Sequence, residues 1–118
     1  MNRTGLALTF VLGFFLLTST TLAASLRVEH TLGSVIVSEA PETIVVFDYG
    51  VLDALDVLGV EIAGLPTSNL PSFLSKFNSP DYVNVGTLFE PDFEQIYALQ
   101  PDLIIISGRQ AEQYDELN

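Results

Sequence analysis

The chain has 118 residues, four Lys or Arg against fifteen Asp or Glu, a formal net charge of −11 and no cysteine. So few cations argue against nucleic acid, whose phosphates need neutralising, and against an anionic membrane surface. Lack of cysteine excludes disulfides and a cysteine-borne lipid anchor, and a hydrophobic content of 48% excludes a disordered chain.

Residues 1–23 read as a secretory signal peptide. Arg3 sits in a short polar start, residues 6–17 are apolar, and "TSTTLAA" supplies small residues for cleavage after Ala23, with Ala24 as the alternative. An apolar run of this length is short of the roughly 20 residues that span a bilayer. The product expected is a soluble periplasmic protein, and residues 24–118 are then one small domain whose only cations are Arg27, Lys76 and Arg109. A chain of this size hides only about 60–65% of its surface on folding, which points to missing sequence.

"LRVEH" and "SVIVSE" flank Thr31-Leu32-Gly33 and predict an opening hairpin. Residues 44–47 are a continuous apolar run, the type buried on both faces of a parallel sheet. "VLDALDVLG" predicts a helix with Val51, Leu52, Leu55 and Leu58 on one face and Gly59 as its terminator. "VEIAGLP" reads as a strand, "NLPSFLSKF" as a helix with Pro71 in its first turn, and "YVNVG" as another strand. "EPDFEQIYALQ" is the clearest helix. Pro91 opens it, Asp92 and Glu94 sit at its positive end, Phe93, Ile96, Tyr97 and Leu99 form its apolar stripe, and Pro101 ends it. "DLIII" is the last strand, and "SGRQAEQYDELN" begins a further helix. Strands alternating with short helices predict an α/β fold, a doubly wound and mostly parallel sheet.

Ligands of such sheets collect beyond the carboxyl ends of the strands. The loops to inspect are therefore Asp48-Tyr49-Gly50, Leu65-Pro66, Gly86-Thr87-Leu88 and Ser107-Gly108-Arg109-Gln110. Arg109 falls in the first turn of its helix, where the macrodipole disfavours a cation, so local stability does not ask for it. Its guanidinium can donate several hydrogen bonds to the oxygens of an anion or lie over an aromatic ring; equally, it can pair with Glu112 along the helix. Tyr49 can close over a ligand or simply cap the apolar layer. His30 alone is weak grounds for a metal site, which needs several convergent ligands. Dinucleotide, P-loop, zinc-protease and serine-elbow motifs are all missing, and a carboxylate pair such as Asp48 with Glu90 is what remains for an enzyme.

"VEHTLGSVIVSEAPETIVVFDYGVLDALDVLGVE", "VGTLFEPDFEQIYALQPDLIIISGRQ" and "YDEL" together resemble the amino-terminal lobe of periplasmic siderophore-binding proteins. These are the substrate-binding components of iron-siderophore ABC importers, and the likeness is to the catecholate and petrobactin-type branch. The resemblance implies two α/β lobes joined by a long helix, of which the linker and second lobe are absent here. It also implies an iron(III)-siderophore as ligand, no resident cofactor or metal site, an ABC permease of the inner membrane as partner, no nucleic acid, a monomer and no enzymatic activity. Arg109 matches the amino-lobe member of the arginine clamp on the anionic chelate, with Tyr49, Thr87, Gly108 and Gln110 around it. Glu94 matches the glutamate that docks the permease. The alternatives are a small exported hydrolase-like enzyme or a truncated remnant without function.

Overall fold

The computed structural model describes residues 24–118, and the expected signal peptide lies outside the described residues. Strands β1 (Ser25–His30) and β2 (Gly33–Ser38) form an antiparallel hairpin closed by Thr31-Leu32, with His30 opposite Gly33. Gly33 thus belongs to β2 and not to the turn. The hairpin is a sheet of its own, and the ring of His30 meets that of Tyr114 edge-on at 5.2 Å, with 3.2 Å between His30 Nε2 and the phenol oxygen. His30 Nδ1 accepts the Leu32 N–H at 3.2 Å, so the ring binds the hairpin turn on one side and Tyr114 on the other.

The second sheet holds β3 (Ile44–Val46), β4 (Gly64–Leu65), β5 (Val83–Asn84) and β6 (Leu103–Ile105), all parallel, in the order β5-β4-β3-β6. β3 lies inside this sheet, and its side chains alternate between two cores as strand geometry requires. Ile44 and Val46 face Leu52, Ile62, Leu65, Leu74 and Phe77, whereas Val45 and Phe47 face Val85 and Ile96. That division is why the run of residues 44–47 is apolar without alternation. Helix α1 (Tyr49–Val57) covers the first face through Leu52, whose complete burial contributes about 1.5–3 kcal/mol. Helix α2 (Phe93–Leu99) covers the second through Ile96.

The doubly wound α/β class is as expected, but several elements differ in detail. Only Gly64 and Leu65 of "VEIAGLP" pair as a strand. "NLPSFLSKF" is a 3₁₀ helix over Ser72–Phe77, with Pro71 as its cap and Leu74 and Phe77 buried. Their spacing of three stacks both side chains on one side of a 3₁₀ turn. Leu58, Tyr97 and, to a lesser degree, Phe93 are exposed, contrary to their place in the expected apolar stripes. Leu58 is the C-cap of α1 and has left the helical face, and Tyr97 lies on the solvent side of α2. After β6 the chain makes a 3₁₀ helix over Gly108–Gln113 and a last turn, α3 (Tyr114–Leu117).

Candidate functional site at the strand tips

α1 and α2 lie on opposite faces of the sheet, and the order in which strands are added reverses at β3, between β4 on one side and β6 on the other. A crevice opens at such a switch point, beyond the carboxyl ends of the strands. The loops flanking it begin at Asp48 after β3 and at Ser107 after β6. Phe47 N donates to Ile105 O at 2.8 Å, so the two strands stay paired up to the tips.

Asp48 caps α1, with Oδ1 accepting from Gly50 N at 2.9 Å and Val51 N at 3.0 Å. This is the ordinary work of an N-cap aspartate, and it engages the carboxylate that an enzymatic acid pair with Glu90 would need. Tyr49 leans over the next loop. Its hydroxyl lies 3.0 Å from Pro66 O and 2.7 Å from Ser68 O, and burial pushes the phenol above its usual value of 10.0. Asn84 continues the chain of links, its Oδ1 accepting from Thr67 N at 3.3 Å and Gly86 N at 3.2 Å.

The loop between β5 and α2 is a closed excursion. Asp92 N returns to Val85 O at 2.8 Å, Thr87 N donates to Glu90 O at 2.9 Å, and Thr87 Oγ1 accepts from Glu90 N at 3.0 Å. Gly86 makes this possible, because at its φ of +103° a Cβ would stand 2.3 Å from Glu90 O. On the far side of the crevice, Ser107 and Gln110 form a capping box at the start of the last 3₁₀ helix. Gln110 is fully buried, and its amide also reaches across to Leu88 O.

Arg109 is exposed between them. Arg27 pairs with Glu29 and Lys76 with Asp56, which leaves Arg109 as the one cation among the described residues without an ion pair. The expected alternative, a pair with Glu112, does not form. Gly108 beside it is also exposed, and a Cβ there would meet nothing within 4 Å, so neither packing nor a positive φ demands glycine. The sequence-predicted residues Arg109, Gly108, Tyr49 and Thr87 therefore all belong to the strand-tip loops. Gln110 shares that rim from inside, and Glu94 is exposed in the first turn of α2, just after the Thr87 loop. Asn84 was missed by sequence reasoning, although an asparagine inside a short strand is an unfavourable choice that signals a side-chain task.

A separate groove of about 680 Å³ runs between the hairpin and the outer edge of β6, lined largely by apolar residues such as Val28, Val35 and Ile105. Its lining reaches Ser107 and Gly108 after β6 and includes no Asp, Glu, Lys or Arg. Among the described residues no three His, Cys, Asp or Glu converge as a metal site, and no helix is long and apolar enough to cross a membrane.

Residues 44–118, from the start of β3 onward, match the family described as periplasmic binding protein. The chain belongs to that family. Among its relatives this periplasmic binding protein is 52% identical over 84 residues to the petrobactin-binding protein YclQ of Bacillus subtilis, covering 70% of this chain and 26% of that one. It is 40% identical over 92 residues to the ferric-anguibactin-binding protein FatB of Vibrio anguillarum, covering 77% and 29%. The crystal structure of the catecholate-siderophore binding protein VctP from Vibrio cholerae superposes with a TM-score of 0.74 at 41% identity, over 80% of this chain and 34% of that one. The parallel sheet with short helices is thus the amino-terminal lobe of this fold, and the chain spans about a third or less of the length of these relatives.

Proposed function

We propose that this chain supplies one wall of a ferric-siderophore site in a periplasmic uptake system, and that its ligand passes to an inner-membrane ABC permease. The observation that carries this reading is Arg109. An exposed guanidinium with no ion pair, at the switch point of a parallel sheet in a strongly acidic chain, is what an anionic iron chelate would seek. The names of YclQ, FatB and VctP support the ligand class. Gly108 lets oxygen atoms approach the backbone, while Tyr49 and Thr87 offer a ring and a hydroxyl from the facing loops. Iron arrives as part of the cargo, held by the chelator's oxygens and not by the protein. The working unit is a monomeric, exported binding protein without catalytic activity. The enzyme reading is not favoured, since the relatives are binding proteins and Asp48 is committed to its helix cap.

The chain has four tyrosines and no tryptophan, so quenching of tyrosine fluorescence by a ferric tris-catecholate reports binding. Arg109→Ala is expected to weaken binding about ten- to a hundredfold, the range for losing hydrogen bonds to a charged group, with folding unchanged. Equal affinity in the variant would remove Arg109 from the site.

A further inference from the structure

We infer that Gln110 is a positioning residue: its buried amide locks the turn carrying Arg109 to the Thr87 turn across the rim, and it touches no ligand itself. The inference rests on the anion-site reading above for its consequence, but not for its geometry. Gln110 is the one fully buried polar side chain among the described residues. Burying an amide is unfavourable unless both its ends are bonded, and here both ends are bonded to different loops. Oε1 accepts from Ser107 N at 2.9 Å, with Ser107 Oγ 3.3 Å away, and Nε2 donates to Leu88 O.

The positions of these partners give the link its meaning. Ser107 lies two residues before Arg109, and Leu88 follows Thr87 directly. Gln110 therefore ties the cation's turn to the hydroxyl's turn, which belongs to a loop at the opposite edge of the sheet. Tyr49 joins the β3 loop to the β4 loop, and Asn84 joins the β4 loop to the β5 loop. Gln110 closes this series back to β6. A rim fixed in advance loses less freedom when a ligand arrives, so the link acts on affinity through Arg109 without contact.

The test is the isosteric change Gln110→Glu, with Gln110→Met as a second variant of similar volume that has no hydrogen bonds. An ionised carboxylate still accepts from Ser107 N but cannot donate to Leu88 O; once protonated it can. The charged side chains beside the two bonded segments, Glu90 near Leu88 and Arg109 and Glu112 near Gln110, are all exposed. Amide hydrogen exchange is followed first, without ligand. At neutral pH, both variants are expected to exchange faster at Gly86–Glu90 and at Ser107–Gln110 together. On mild acidification the Glu variant alone returns to the wild-type pattern. Binding of ferric tris-catecholate, taken as a ratio to wild type at each pH, is expected about tenfold weaker in both variants at neutral pH and restored by acid only for Glu. Wild-type exchange at both loops in the Met variant, or faster exchange confined to Ser107–Gln110, overturns the inference. If wild-type protein fails to bind the chelate, the anion-site reading falls and the exchange experiment alone decides the coupling.

Discussion

Two glycines at the rim illustrate how one residue type answers to two different demands. Gly86 has a φ of +103°, and any Cβ would collide with Glu90 O and with Asp92 N at 2.7 Å. Replacing it forces the closed loop after β5 to open, so Gly86→Ala is expected to cost at least about 2 kcal/mol in urea unfolding. Gly108 has open space at its Cβ position and an ordinary φ. Gly108→Ala should leave the urea midpoint unchanged or slightly raised, because alanine restricts the unfolded chain. The same variant should weaken ferric-chelate binding if a ligand oxygen approaches the backbone there. Unaltered affinity in Gly108→Ala, measured beside the unfolding curve, would take Gly108 out of the proposed site. The pair therefore tests a glycine that folding requires against one proposed for access.

At the scale of elements, the start of the β3–β6 ladder depends on a carboxylate. Asp102 Oδ2 accepts from Thr43 N at 2.8 Å and Glu42 N at 3.0 Å, and these backbone donors hold its carboxyl below the usual 3.8. A depressed value means that the ionised form is favoured by folding, so the contribution is present above the ordinary aspartate range and fades as pH falls through the lowered one. Asp102→Ala should thus unfold at lower urea than wild type at neutral pH, and the two curves should converge in strong acid. A constant gap across that range would show that Asp102 acts by packing alone. The sequence already placed this aspartate after Pro101, yet its task was invisible, because its partners lie some 60 residues earlier. The same limit explains what else could be read. The buried run of residues 44–47, the capped helix at Phe93–Leu99 and the Arg109 loop follow from local pattern. The 3₁₀ form of Ser72–Phe77, the outward turn of Tyr97 and the inward turn of Gln110 depend on what stands opposite, which periodicity does not encode. A capping-box spacing from Ser107 to Gln110 was the available clue that Gln110 serves its own helix.

Across the whole molecule, the rim and the outer face of α2 present different chemistry, and the proposed transport role would use both. Glu94 sits in the first turn of α2, exposed and without an ion pair among the described residues. Tyr97, three residues on and 78% exposed, shares its face of the helix, and Phe93 one turn before Tyr97 is 38% exposed. Exposed aromatics beside an acid suit an interface with a basic, partly apolar partner, the combination expected of a surface that meets a permease. Helix-dipole compensation alone would also favour Glu94, at about 0.3–1 kcal/mol, so stability cannot separate the two roles. Transport can. Glu94→Gln keeps the shape, should shift stability by no more than that amount, and should leave ferric tris-catecholate affinity intact if Glu94 serves only the exposed face of α2. If the proposed permease docking runs through Glu94, iron uptake by cells relying on this protein is expected to fall about tenfold, through slower docking. Uptake equal to wild type would return Glu94 to the helix dipole, and reduced chelate affinity would place it with the binding rim instead.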